Sequence, residues 1–384
     1  MNCFDYDENL IKITEYNVLG KLPDPFLMNN GKTVKTKEDW EERKKEIYKT
    51  AVELQYGTQP PKPEFFSIDK LYEHSSSMCY RIHAGTKEKQ IQFIMKIILP
   101  DDLSEKPKAI IDGDLCFNYA FNTNYLDCFK KNGFAYVLFN RCELANDIMF
   151  EGRRHGPLYD VYPEYSFGAI GAWAWGYSRC VDALEKLGVF DLSALAFTGH
   201  SRGGKTAMLA GVLDERAKIV NPNETNAGSC SCYRIHSKII CEDGEERRSE
   251  KLSDLWNNFG YWIGEGMGEY ADRENKLPFD CHFLKAMIAP RVLLIGEAAS
   301  DAWTNVVGTW QTSIAATEVF KFLGYEKNLI WYFRKGYHSH NPEDAMMLVN
   351  VINHVHDNEK LNDNFFKTPF KKPEKIFDWV APKK

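Results

Sequence analysis

From residue 108 onward the chain repeats one pattern, a short apolar run followed by a longer segment with helical spacing. The runs are "KAIIDGD", "FAYVLFN", "ALAFTGH", "RVLLIGE" and "NLIWYF". Each is too short for a full helix, and each suits a strand buried on both faces. Between them lie segments such as 168–187, "GAIGAWAWGYSRCVDALEKL", and 203–213. Strand and helix in alternation predict an α/β chain, a three-layer sandwich with a mostly parallel central sheet and helices on both faces. At 384 residues one such domain can bury a large core.

The residues upstream are different in texture. Trp40, Ile47, Ala51 and Leu54 recur at helical spacing among charges, which predicts an amphipathic helix over 37–56 ending near Gly57. Prolines at 60, 61 and 63 exclude helix from "TQPPKPEFF" and predict an extended linker. Two runs, "MCYRIHAG" and "KQIQFIMKIILP", read as antiparallel strands. The expected organisation is an N-terminal extension over 1–65 packed on a catalytic domain over 66–357, then a surface tail over 358–384. A charged stretch, 241–257, reads as an insertion or lid-like loop leading into a helix.

Charge and cysteine content exclude several functions. A formal net charge of −6 offers no basic field for nucleic acid. No stretch approaches the roughly 20 apolar residues of a membrane span. The ten cysteines form no CxxC pair, and Cys230-Ser-Cys232 has neither a second pair nor histidines at zinc-finger spacing, so no metal is expected. A chain this long needs no disulfide staples, and "MNCFDYDENLIKITEY" has no apolar h-region. These features predict a cytoplasmic chain with mostly reduced thiols, unless an export signal has been removed.

Chemistry concentrates in "FTGHSRGGKTA", 197–207. An apolar strand runs into Gly199-His200-Ser201-Arg202-Gly203 and a small-residue helix runs out, the layout of a nucleophile elbow. The same glycines would suit an ordinary strand-to-helix turn in which the serine caps the helix. A nucleophilic serine needs a base and an orienting acid, in the order Ser…acid…His. His338, in "RKGYHSHNPED" after the last strand, is the expected base, with His340 as its substitute. His282, His354 and His356 read as structural. Two acids compete: Asp301 follows "RVLLIGEAAS", where generic topology places the acid, and Glu224 lies in "IVNPNETNAGSC".

Longer stretches resemble the glucuronoyl esterases, α/β-hydrolases that cleave esters of 4-O-methyl-glucuronic acid linking xylan to lignin alcohols. "GAIGAWAWGYSRCVDALE" resembles their Ala-Trp-Ala-Trp-Gly helix, and "GHSRGGKTA" their Gly-x-Ser-Arg-x-Gly-Lys signature. "NETNAGSCSCYR", "LPFDCHFLKAMIAPRVLL" and "WEERKKEIYKTAVELQYGTQP" are similar to further family segments, so the likeness spans roughly 35–355. It implies Ser201 as nucleophile, His338 as base, Glu224 as acid with Asp301 behind it, and Arg202 as a donor to the oxyanion. It further implies that Lys205, Trp303 and Glu250 contact the sugar, that no cofactor is needed, and that the partner is a small or oligosaccharide uronate ester. "NAGSCSC" departs from the glycine-rich family pattern around the acid. Two other readings of the same residues are an esterase for an acetyl or feruloyl ester and a non-catalytic carbohydrate-binding homologue.

Overall fold

A computed structural model describes residues 9–117 and 122–383. Twelve strands run in chain order as β1 (Lys12–Val18), β2 (Phe65–His74), β3 (Ser77–Gly85), β4 (Gln90–Ile98), β5 (Lys108–Asp112), β6 (Phe134–Phe139), β7 (Asp191–His200), β8 (Ile219–Asn223), β9 (Ile235–Ile240), β10 (Glu246–Arg248), β11 (Val292–Ala298) and β12 (Leu329–Arg334). The helices are α1 (Lys37–Ile47), α2 (Leu54–Tyr56), α3 (Thr123–Lys130), α4 (Pro157–Val161), α5 (Ala169–Leu187), α6 (Arg202–Leu213), α7 (Leu252–Phe259), α8 (His282–Ile288), α9 (Val306–Leu323) and α10 (Pro342–Asp357).

Nine strands form one sheet in the order β12-β11-β8-β7-β5-β6-β4-β3-β2. The six from β12 to β6 are parallel, and β4, β3 and β2 complete the sheet antiparallel. This is the mostly parallel sheet expected from the alternation, and the α/β-hydrolase fold that the resemblance implied. The apolar runs have no polar face because alternate residues enter two separate cores. Ile111, Ala135, Val137, Leu195, Phe197, Leu293 and Ile295 join a core with α1, α5, α6 and α8. Their neighbours Ile110, Tyr136, Leu138, Ala196, Ile219 and Leu294 join the core under α3 and α10.

The N-terminal amphipathic segment is helical as the spacing predicts, but Tyr48–Glu53 is wound as a π-helix between α1 and α2. Gly57 ends it at φ 82°, where a side chain would collide with the Ser166 carbonyl. The extended stretch after the prolines becomes β2, the outer edge of the sheet.

A second, three-stranded sheet in the order β1-β9-β10 was not foreseen. The charged insertion therefore supplies the turn and second strand, β10, of a hairpin whose first strand, β9, pairs antiparallel with the N-terminal strand. Ile11, Ile239, Ala299, Ala302, Trp310, Phe333 and the tail residue Phe370 share one small core. Ile11 and Phe370 thus pack together behind the loop that follows β11, the loop carrying Asp301.

Trp40 is completely buried in the main core. Trp40→Ala should cost about 3–5 kcal/mol, read as a lower denaturation midpoint with unchanged denaturant slope.

Candidate active site

β7 ends at His200 and α6 starts at Arg202, which leaves Ser201 as the whole turn. Its backbone sits at φ 58° and ψ −119°, strained for a residue with a Cβ. Two bonds hold it there: the Ser201 N–H donates to the Asn223 carbonyl at 2.9 Å, and the Lys205 N–H to the Ser201 carbonyl at 3.0 Å. Gly203 is required because a Cβ there would run into the Asp114 carboxylate. The first N–H groups of α6 have no partner within the helix and carry its positive end.

His338 lies in the loop after β12, between two carboxylates. Its Nδ1 is 2.6 Å from Asp301 Oδ2 and 3.3 Å from Glu224 Oε2. Asp301 stands after β11 and Glu224 directly after β8, the latter at a strained φ of 45°. Burial opposes charge on the imidazole, but the hydrogen bonds to Asp301 and Glu224 outweigh it and push His338 up to about 10. Burial also pushes the Glu224 carboxyl up, to about 7, against the pull of His338 and Arg334.

Arg334, the last residue of β12, organises this pair. One guanidinium nitrogen donates to Glu224 Oε1 and to the Ser339 carbonyl, the latter at 2.8 Å, and Nε donates to Asp344 at 2.9 Å. The other Glu224 oxygen accepts the Ser339 N–H at 3.0 Å. One Glu224 oxygen is therefore held by the end of β12 and the other by the histidine loop, whereas Asp301 makes the shorter bond to the imidazole. Arg334 stands four residues before His338 in "RKGYH", and only that adjacency hinted at its role.

Arg202 points from the elbow into a second network. Its Nη1 donates to Asp147 Oδ2 at 3.0 Å, and its guanidinium carbon lies 4.8 Å from the Trp262 ring centre. Asp147 also accepts from Tyr261 at 2.7 Å and from the Trp262 indole at 3.0 Å. Fully buried Arg141 bridges Asp147, at 3.4 Å, to Asp114 beneath the elbow. Asp147, Arg141 and Asp114 carry no motif, and Asp147 meets Arg202 and Tyr261 from distant segments, so they were not anticipated.

Lys205 and Glu250, both buried, lie together on the other side of the elbow. Lys205 Nζ donates to the Ala227 carbonyl at 2.6 Å, and the Glu250 N–H to the Trp303 carbonyl at 3.1 Å. Burial pushes Glu250 up to about 7 despite the Lys205 charge, and one of its buried oxygens has no hydrogen-bond partner. Trp303 is 39% exposed and lines a cavity of about 390 Å³ with Asp301, His338, Tyr337, Arg247 and Arg248. Of the eight expected site residues, Asp301, Trp303 and His338 line this cavity.

His340, the expected substitute base, is instead a packing residue. It is buried against Tyr125 and stacks on His200 with ring centres 5.0 Å apart, and burial holds it down at about 3. His282 is structural as expected, bonded to the Pro23 carbonyl at 2.8 Å. The ligand atoms of His200, Glu224 and His338 lie within 4.8 Å of one another, close enough for a cation. Arg334 already occupies that Glu224 carboxylate and opposes a second positive charge there.

The model of the family described as "Glucuronyl esterase, fungi" matches residues 82–324. The chain belongs to the glucuronoyl esterase family. A 4-O-methyl-glucuronoyl methylesterase of Podospora anserina is 32% identical over 330 residues, 84% of this chain and 64% of that protein. A carbohydrate esterase family 15 glucuronoyl esterase from Caldicellulosiruptor kristjansonii superposes with a TM-score of 0.81 at 27% identity, covering 94% of this chain and 97% of that one. A serine-to-alanine mutant of the Sporotrichum thermophile glucuronoyl esterase, solved with methyl 4-O-methyl-β-D-glucopyranuronate, gives 0.72 at 25% identity, covering 92% of each chain.

The expectation of a cytoplasmic chain is overturned by these relatives, which are 4-O-methyl-glucuronoyl methylesterases and glucuronoyl esterases. Its cysteines misled because they speak of packing rather than compartment: Cys180, Cys230, Cys232 and Cys281 are core residues. No helix among the described residues is long and apolar enough to cross a membrane.

Arg334→Met should leave Glu224 and Asp344 buried without their cation. The expected cost is about 3–5 kcal/mol, read by denaturant titration beside an Asp301→Asn control that loses far less.

Proposed function

We propose that this chain hydrolyses esters of 4-O-methyl-glucuronic acid through an acyl-enzyme. The observation that carries the reading is the strained serine elbow followed directly by Arg202, together with an imidazole held by two carboxylates. With His338 Nδ1 committed to Asp301 and Glu224, Nε2 is the nitrogen left to take the Ser201 proton. The Ser201 oxygen attacks the uronoyl carbonyl, and the N–H groups at the start of α6 and the Arg202 guanidinium receive the oxyanion. His338 returns its proton to the departing alcohol, and water repeats the sequence on the acyl-enzyme.

The geometry supports Asp301 as the carboxylate that orients the imidazole, with Glu224 as the second acid tied to the loop through Arg334. This reverses the order that the family resemblance implied. Buried Lys205 and Glu250, with exposed Trp303, supply polar groups and a ring face for a sugar. A Lys205 Nζ that already donates to a carbonyl keeps two protons for hydroxyl acceptors. The ester of the Sporotrichum thermophile complex is the substrate class this arrangement fits.

Ser201→Ala should lower turnover of benzyl glucuronate about ten-thousand-fold or more with an unchanged circular dichroism spectrum. Retained turnover defeats the assignment. Arg202→Ala should cost about a hundred- to a thousandfold in kcat with little change in KM.

Asp301→Asn should lower kcat more than Glu224→Gln; the reverse order restores Glu224 as the main acid. The base works only when His338 has lost its proton, so the rate falls as pH drops through the imidazole pKa. Removing either carboxylate charge lowers that pKa. The acid limb of kcat/KM should move to lower pH in both variants, by about one unit.

A further inference from the structure

The turn between β9 and β10 touches both loops that carry the imidazole and its nearer acid. Glu242 is the residue that bridges them. Its backbone N–H donates to Ser300 Oγ at 3.0 Å, one residue before Asp301. Its carboxylate accepts the Gly336 N–H at 2.9 Å, two residues before His338. The neighbours of Glu242 repeat the pattern. Cys241 Sγ donates to the Ser300 carbonyl at 3.4 Å, and the Asp243 N–H to the Tyr337 oxygen at 3.0 Å.

The turn is well braced in itself. The Cys241 N–H donates to the Glu245 carbonyl and the Gly244 N–H to the Cys241 carbonyl, both at 2.9 Å. Arg247 grips the two Asp243 carboxylate oxygens at 2.8 and 2.6 Å, and its guanidinium carbon lies 5.6 Å from the Tyr337 ring centre. The histidine loop is less secure: Lys335, Tyr337, His338 and Ser339 are exposed, whereas Ser300 and Asp301 are buried. Gly336 stands in that loop at φ 96°, and a glycine has little preference of its own among backbone conformations. The Ser300 N–H donates to the Gly336 carbonyl at 3.0 Å, which holds the peptide after this glycine. Glu242 holds the peptide before it. With both peptides held, neither backbone angle of Gly336 is free to turn.

We infer that Glu242 is a positioning residue for His338, setting the imidazole against Asp301 by tying their two loops to one turn. The inference rests on the esterase reading above, in which His338 is the base. Without the carboxylate, rotation at Gly336 lets the imidazole, 43% exposed, drift from Asp301 and from the serine. Misplacement of a reacting group lowers turnover while leaving the contacts that bind the ester in place.

Glu242→Ala should therefore lower kcat for benzyl glucuronate about ten- to a hundredfold with KM unchanged. Glu242→Gln keeps an oxygen acceptor and should restore most of the rate. A titration of the His338 imidazole by NMR, assigned by its loss in His338→Gln, reads the same effect without substrate. Burial lowers the pKa of this imidazole and the bond to Asp301 raises it. Loosening that bond in Glu242→Ala should bring the pKa down by about half a unit, with Glu242→Gln matching the parent. An imidazole that titrates in Glu242→Ala as it does in the parent overturns the inference, whatever the rate. So does an equal loss of rate in Glu242→Gln. Turnover retained by Ser201→Ala removes the esterase reading, and the NMR shift then decides the positioning role alone.

Discussion

Arg334 is the interaction on which the proposed catalytic arrangement rests. Two buried carboxylates beside one imidazole are an unfavourable assembly, because like charges in a region poor in water raise each other's pKa. A guanidinium shared between Glu224 and Asp344 removes most of that conflict. The same side chain binds the Ser339 carbonyl, at 2.8 Å, so the loop that presents His338 is anchored to the acid it faces. Lysine could not replace it, since a single ammonium cannot reach two carboxylates and a loop carbonyl from a fixed plane. Asp344 in turn accepts from Asn223, which holds His200 by its side chain and Ser201 by its carbonyl. The acid, the base loop and the serine turn are thus braced by one continuous polar network at the carboxyl ends of β7, β8 and β12.

A second network does the equivalent work for Arg202. Alone on a helix terminus, an arginine has many rotamers and would have to be ordered in each turnover. Here Asp147 fixes the guanidinium at one edge and the Trp262 ring covers its face. Asp147 is itself fixed by Tyr261, Trp262 and Arg141. The donor is thereby pre-positioned, which is the condition under which a charge stabilises a developing oxyanion without reorganising.

The sheet was legible because strands buried on both faces leave unbroken apolar runs, and a parallel order follows from helices placed between them. The serine was legible for a local reason: strand, glycine, serine, glycine and helix must be contiguous to make an elbow. Chain order pointed to His338 and left Asp301 and Glu224 both open, and the three do meet in the structure. What the sequence hid was long-range. Asp147 acts through Arg202 and Tyr261, and Arg334 through Glu224, contacts between distant segments that leave no motif in the sequence. The β1–β9–β10 sheet was hidden for the same reason, since a strand paired across more than two hundred residues has no local signal. His340 misled because it shares a loop with His338. Burial against Tyr125 and His200 sets its chemistry, and sequence position does not report burial.

The pairing of Arg202 with Asp147 also bears on how the proposed reaction ends. Its substrate is a neutral ester and its product an anionic uronate, formed beside that guanidinium. An unpaired arginine would hold the carboxylate product more tightly than the ester, and binding of that kind slows release without lowering the barrier. Because Asp147 already takes part of the positive charge, less remains for a fully formed carboxylate. Asp301 and Glu224, beside the imidazole, add repulsion once it has released its proton. The tetrahedral intermediate meets a different field, since His338 is then protonated and screens the two acids. The site's charge therefore follows the position of one proton, favouring an anion while the imidazole holds it and disfavouring one after it leaves.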